Sequence, residues 1–361
     1  MSVTCVTSSE GLARLESDWE ALYQQADNAH VFLSFDWIQI WLEVFGGLVK
    51  TLLVYCCWED DKLVAVLPLY QSRLNGMCFF IGTGEPEQSE VCSEYQDILV
   101  HPNCINGATA LLQAALSAHF RTLVFKNVRH DAYLRRMINS VLPQTLIREY
   151  SQERRYFVPL AADDISRTKL YKKANRYLNA FFRQPEAAVR YPENESDVEE
   201  QFSRLITLHR QRWSSRQQQV IFDDAHFLKF HTKTITRLWR KNRLVLTEIA
   251  VGDEVIASFY GFKNPKSIFF YQSGINDKFK PNVSPGTIMH LIEARAALTH
   301  QLNEYDFLGS KPENTYKGRL TDHSEPLYRI VAHASRAAKW VHRITVFRAR
   351  ITNRMNRVLN G

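Results

Sequence analysis

The sequence predicts an α/β (α+β) chain of two tandem lobes, each a mixed sheet flanked by helices, followed by a basic amphipathic C-terminal helix. Three observations predict it. The C-terminal half alternates as strands around turn dipeptides, the N-terminal half repeats the same element order about 180 to 190 residues earlier, and the last stretch is basic with helical period.

In the first half the Trp-bearing segments DWEALYQQA and SFDWIQIWLEVF read as helices. Strands TLLVYCCW and KLVAVLPLY follow around Asp60-Asp61, and MCFFIG comes after a turn at Asn75-Gly76. INGATALLQAAL then reads as a helix and RTLVFKNV as a strand. The second half begins beyond a hinge near Glu153 to Val158 with the basic helix TKLYKKANRYLNAFFRQ. Helices FSRLITLHRQRW and FHTKTITRLWRK precede a meander, LVLTEIAV, EVIASFYGF and SIFFYQSG, with turns at Gly252-Asp253 and Asn264-Pro265. A helix, SPGTIMHLIEARAALTH, and a strand, EYDFLG, complete a strand-helix-strand crossover, expected to be right-handed. The expected boundaries are 1–155 and 156–330 for the lobes and 331–361 for the tail.

A length of 361 residues suits two domains, and an apolar share of 45% suits a globular chain. The apolar run near the start is interrupted by Asp36, Gln39 and Glu43, which is amphipathic helix chemistry and no membrane span. No signal peptide opens the sequence. All six cysteines, at 5, 56, 57, 78, 92 and 104, fall in the first third without CxxC spacing, so reduced thiols in the cytoplasm and no metal site are expected. The net charge of +7 is matched by the seven basic residues, and no acid, between Val331 and Gly361: Arg336, Lys339, Arg343, Arg348, Arg350, Arg354 and Arg357. The body is neutral, which argues against DNA as a partner.

The segments LHRQRW, FFYQSGIND, SPGTIMHLIEA and YDFLGSKPENTYK, in this order and spacing, resemble the cellulose-biosynthesis-type (CelD/BcsL-like) acetyltransferases of the GNAT superfamily, relatives of the Fem-type aminoacyl transferases. The likeness is clearest over Leu205 to Arg319 and weaker over Leu15 to Asn127. It implies two GNAT-like lobes and transfer of an acyl group, acetyl above all, from coenzyme A to an amine or hydroxyl of a sugar-linked, exopolysaccharide or cell-envelope acceptor. The glycine-rich Q/R-x-x-G-x-G/A signature of typical GNAT enzymes is absent. Two other readings therefore stand beside it: a Fem-like transferase using charged tRNA, with the basic helix from Lys169 to Arg183 on phosphates, and a non-catalytic accessory protein.

Acyl transfer from a thioester needs a seat for the donor, polarisation of the carbonyl oxygen, a base, and a proton for the leaving thiolate. Ser284, Gly286 and Thr287 suit the first need, with serine capping a helix, Pro285 in its first turn and glycine admitting a phosphate to the amides. Ligands in such sheets sit beyond the carboxyl ends of strands, which groups Tyr271, Gln272, Asp306 and the Tyr316-Lys317 pair around one crevice. Two roles are open to Asp306: general base, or partner of Lys317 or a backbone amide. The Fem resemblance implies a site lysine after an aromatic, matched by Lys317, which would stabilise developing negative charge, while Tyr316 would protonate the leaving group. On the helix before the meander, His209, Arg212 and Trp213 share a face. Arg212 suits an acceptor phosphate or carboxylate, Trp213 a sugar ring, and His209 has a pKa suited to proton transfer.

In the tail, Trp340, Ile344, Phe347, Ile351, Met355 and Val358 form an apolar helical stripe beside arginines. It suits the surface of an anionic membrane, a protein partner, or the body of the protein itself.

Overall fold

The computed structural model describes residues 1–119, 121–160, 165–214, 216, 220–279, 283–311 and 316–359, the side chains of Gln152 and of 348–359 excepted. The chain forms two compact units: Met1–Glu85 with Cys92–Gln152 and Leu327–Gly361, and Pro86–Val91 with Glu153–Pro326.

Along the chain, strand β1 (Ser2–Val6) and helices α1 (Ser9–Ala13), α2 (Glu16–Gln25) and α3 (Phe35–Phe45) lead into the hairpin β2 (Val49–Glu59) and β3 (Lys62–Ser72). Asp60 and Asp61 turn the hairpin at φ +48° and +59°, a left-handed region that aspartate tolerates better than most residues. Next come β4 (Cys78–Phe80), β5 (Leu99–Val100), α4 (Ile105–Leu116), β6 (Thr122–Val128), α5 (Tyr133–Val141) and β7 (Ile147–Pro159). The second half runs α6 (Lys169–Phe182), β8 (Ala187–Arg190), α7 (Glu195–Ser214), α8 (Ala225–Arg240), β9 (Leu244–Val251), β10 (Glu254–Lys263), β11 (Ser267–Ile275), α9 (Pro285–Thr299) and β12 (Glu304–Ser310). It closes with β13 (His323–His333) and α10 (Arg336–Leu359).

In the first unit the strands lie in the order β1-β2-β3-β4-β6-β13, with β5 also on β3. β4 and β6 are parallel and α4 crosses between them; the other pairs are antiparallel. Trp19, Trp37 and Trp41 of α2 and α3 are fully buried. Each indole N–H has an acceptor, on Leu33 O, Ser93 Oγ and Glu85 Oε2, as burial requires.

The second unit orders its strands β7-β12-β11-β10-β9-β8, with β7 contributing from Glu153 onward. Among the described residues of this unit β11 and β12 run parallel, joined by α9, and the pairs β7–β12, β11–β10, β10–β9 and β9–β8 are antiparallel. The expected meander, crossover helix and closing strand are all present. Helix α9 is enclosed on nearly every side, with Ile288, Met289, Leu291, Ala294 and Ala297 all buried, so its sequence shows little amphipathic contrast. Gly274 is what lets α7 lie on β11. A Cβ there would come within 2.6 Å of Leu205 O and 2.7 Å of Leu208 Cβ.

β13 is an element the periodicity does not announce. Pro326 interrupts its alternation, yet from Tyr328 to His333 it pairs with β6 and runs straight through the expected boundary at residue 330.

Candidate active site

The parallel pair in the second unit parts soon after it starts. Ser267, Ile268 and Phe269 lie beside Glu304, Tyr305 and Asp306, and the ladder ends there although β11 continues to Ile275. The cause lies in β12, whose register against β7 slips between Asp306 and Gly309. Leu308 sits at φ +63°, a strained value for a residue with a branched side chain, and turns the strand away from its neighbour. Two side chains hold this bulge. Asp306 Oδ1 accepts the Leu308 N–H at 2.6 Å, and Lys317 Nζ donates to the carbonyls of Gly309 at 2.7 Å and Leu308 at 3.3 Å.

The space so opened is a cleft of about 770 Å³. Helix α7 lends it Arg212 and Trp213, with Arg216 just beyond; β11 lends Phe270, Gln272, Ser273 and Ile275. Ser284, Pro285, Gly286, Thr287 and His290 come from the start of α9, Tyr316 and Arg319 from the segment after β12. Three arginines and one described carboxylate, Asp277, make the wall electropositive. Asp277 holds Arg216 at 2.6 Å and Arg212 at 3.4 Å, and both guanidinium groups lie near the Trp213 ring. Burial lowers the pKa of Arg212, opposed by Asp277.

His290 joins the cleft to the core. Its Nδ1 is 2.7 Å from the Tyr305 hydroxyl and its Nε2 3.5 Å from that of Tyr316, whose ring stacks on the imidazole. Burial, aided by the charge of Lys317, pushes its pKa down to about 3, so the ring is neutral at ordinary pH. The Tyr316 residue is 39% exposed, but its hydroxyl end is the part enclosed against His290. That enclosure raises the phenol pKa, while Arg212 acts to lower it.

Of the residues expected at the site, Arg212, Trp213, Gln272, Ser284, Gly286, Thr287 and Tyr316 line the cleft. Four do not. Tyr271 follows the strand alternation to the opposite face from Gln272, where its hydroxyl donates to Val91 O at 2.7 Å and meets His231 Nε2 at 3.0 Å. Asp306 has no exposed surface; besides the bulge it faces Arg155 Nη1 at 3.6 Å. Arg155 is itself buried and also reaches Glu304 and Glu325. Of the two roles open to Asp306, the contacts are those of a partner to a backbone amide. Lys317 is turned onto the end of β12, its ammonium engaged by carbonyls, and its charge acts on His290. His209 is buried against Phe222, and burial with Arg212 nearby lowers its pKa to about 4.

Ser284 stands at the N-cap of α9, but its hydroxyl bonds the Thr287 hydroxyl at 2.8 Å in place of a backbone amide. The expected serine cap is therefore absent; φ −97° and ψ 87° carry the side chain toward Thr287. At Gly286 a Cβ would meet Ile275 Cδ1 at 2.6 Å, so this glycine seats the helix against β11. Sequence reasoning passed over His290 and Arg319. His290 was hidden because the helix around it is apolar on all sides; the one available signal was an imidazole a single turn after Pro285-Gly286.

Residues 167–318 match the model of a family described as acetyltransferase (GNAT) domain, a stretch that includes every cleft residue except Arg319. None of the curated proteins compared with the chain matches it. Among solved structures, FemX is 9% identical with a TM-score of 0.63, the match covering 96% of this chain and 100% of that one. L-PGS from Bacillus licheniformis is 10% identical with a TM-score of 0.55, covering 94% and 96%. A conserved protein of unknown function from Bacteroides thetaiotaomicron is 11% identical with a TM-score of 0.56, covering 91% and 100%. Such identities speak for fold alone. The chain thus shares the fold of FemX and L-PGS, and its stretch 167–318 is similar to the acetyltransferase (GNAT) domain.

Proposed function

We propose that this protein is an acyltransferase of the CelD/BcsL-like type, moving an acyl group, acetyl in the first instance, from acyl-coenzyme A to an amine or hydroxyl of a sugar-linked exopolysaccharide or cell-envelope precursor. One observation carries the reading: β11 and β12 part to form a cleft that runs from the amino end of α9 to the His290–Tyr316 pair. An acyl donor lying there has its anionic groups near the positive end of the α9 dipole and the arginines. Its thioester reaches the tyrosine.

In this reading the acceptor atom attacks the thioester carbonyl and the C–S bond breaks. The departing thiolate takes a proton from the Tyr316 hydroxyl, and the phenolate so formed takes up the proton that the acceptor N–H or O–H loses, which restores the tyrosine. Neutral His290, donating from Nε2 to the phenolate while Nδ1 accepts from Tyr305, together with Arg212 stabilises the charge left behind. Arg216 and Arg319 suit a phosphate or carboxylate on the acceptor, and Trp213 offers a ring face to a sugar. Among the described residues no group of three or more histidine, cysteine, aspartate or glutamate side chains is placed to hold a metal ion.

The likeness to FemX supports a second reading, a donor carried on tRNA, for which Lys172, Lys173, Arg176 and Arg183 are exposed on and just after α6. Thermal-shift titration of the full-length protein separates the two. Acetyl-CoA or a longer acyl-CoA at about 100 times its Kd adds roughly 2.7 kcal/mol of stability, a rise of several degrees. Stabilisation by charged tRNA alone favours the second reading, and stabilisation by neither removes both.

A further inference from the structure

We propose that α10 is a docking surface for an anionic lipid bilayer, lying in its headgroup layer with the Trp340–Phe347 face down. The inference is independent of the chemistry assigned to the cleft. It rests on how the helix is mounted, which face it leaves bare, and its charge.

The start of α10 is secured to its own unit. Ser335 Oγ donates to His119 O at 2.6 Å and accepts the Ala338 N–H, Lys339 Nζ donates to Thr145 O, and Ala338 is 1% exposed. At about 100° per residue, Trp340 and Phe347 lie roughly 160° to 180° around the helix from Ala338. They are each 65% exposed, and Val341 is 44% exposed. The apolar stripe expected from the sequence is thus turned away from the body over its described part. Exposed aromatic surface of this size on a helix is unusual without an occupant. The stripe positions Ile351, Met355 and Val358 have side chains outside the described residues, but the helix continues through them to Leu359.

Charge identifies the occupant. From Val331 to Gly361 there are seven basic residues and no acid, while the rest of the chain is neutral overall. By helical position Arg336, Arg343, Arg350, Arg354 and Arg357 fall along one border of the apolar stripe and Arg348 along the other. An apolar stripe edged by arginines, with a tryptophan in it, fits the boundary between acyl chains and phosphate headgroups. A nucleic acid would use the arginines and leave Trp340 and Phe347 wet; a protein partner gives no reason for seven cations without an acid. No helix among the described residues is long and apolar enough to cross a membrane.

The test uses full-length protein and sedimentation with vesicles of phosphatidylcholine, with and without phosphatidylglycerol. Since each cation near an anionic surface multiplies partitioning about fivefold, the anionic vesicles should bind at least ~100-fold more tightly at low salt. W340A/F347A should weaken binding at least ~tenfold at both low and high salt, because it removes the salt-independent apolar part. R343E/R350E should weaken it mainly at low salt. An unaltered melting temperature of each variant checks that folding is kept. Equal binding to both vesicle types, no binding, or binding indifferent to W340A/F347A overturns the proposal. So does a dimer that W340A/F347A dissolves in the absence of vesicle binding, or tRNA binding that the lipid does not compete.

Discussion

Asp306→Asn distinguishes a brace from a base. The substitution keeps an oxygen to accept the Leu308 N–H but replaces the second oxygen, 3.6 Å from Arg155, with an NH₂ group facing a guanidinium. Arg155 is 1% exposed, so its charge cannot turn to water; it retains Glu304 at 2.7 Å and Glu325 at 3.5 Å. Breaking a buried pair outright costs about 3–5 kcal/mol, and with two carboxylates remaining we expect about 2–3 kcal/mol. At roughly 2–4 °C per kcal/mol for a unit of this size, the melting temperature falls about 5–10 °C. Asp306→Ala, which also releases the strained Leu308, falls further. Acyl-CoA turnover, followed by thiol release, should drop less than about tenfold in the asparagine variant, because the carboxylate touches no reacting atom. Loss of a general base costs ~10²–10⁴ in rate. A variant that melts with the parent yet loses turnover on that scale would refute the brace.

Further predictions concern the cleft and its supports. Tyr316→Phe should leave the melting temperature within about a degree and lower kcat at least ~100-fold, with KM little changed; an unaltered kcat removes the phenol from the reaction. Arg212→Ala should lower kcat about tenfold with a smaller effect on the acceptor KM, as expected for loss of a charge that acts on the Tyr316 oxygen as the thiolate departs. Gly274→Ala should destabilise by about 2 kcal/mol or more, since its Cβ meets the α7 backbone; a neutral outcome in a denaturant melt would show that α7 does not pack as closely as described.

Acid should unfold the second unit. His209, His231 and His290 have pKa values pushed down by burial from 6.5 to about 4, 3 and 3. Below pH 6.5 the unfolded chain takes up these protons and the folded chain does not, so this stability is present above pH 6.5 and is lost as pH falls. Glu293, raised to about 7 by burial, opposes with one proton held by the folded form. Near pH 5.5 the unfolded state is about two protons ahead, or roughly 2–3 kcal/mol per pH unit. Melts at pH 7.5 and 5.5 check this; an equal or higher melting temperature at the lower pH contradicts it.

Much of the second unit was legible in the chain because its signals are local. Gly252, at φ +58°, turns β9 into β10, and Ser284-Pro285 marks where α9 starts. Residues Arg212, Trp213, Gln272 and Tyr316 could be grouped because strand order and helical spacing determine which end of the sheet they reach. Asp306 and Lys317 could not be oriented, because that depends on a left-handed Leu308, which no propensity announces. The same alternation that placed Gln272 in the cleft sends Tyr271 to His231; a reading that grouped both ignored the pleat. β13 escaped notice because its partner β6 lies some two hundred residues earlier, and long-range pairing leaves no local mark.

That distant pairing has a consequence during synthesis. Until residues 327–333 leave the ribosome, the edge of β6 that they will occupy, Thr122–Val128 with its run of Leu123, Val124 and Phe125, stays uncovered through the translation of the whole intervening polypeptide. At ~5–20 residues per second this lasts on the order of ten seconds or more, long enough for a sticky β edge to find another nascent chain. Chaperone dependence of the yield should accordingly rise with truncations that remove β13 and fall when its seven closing residues are restored.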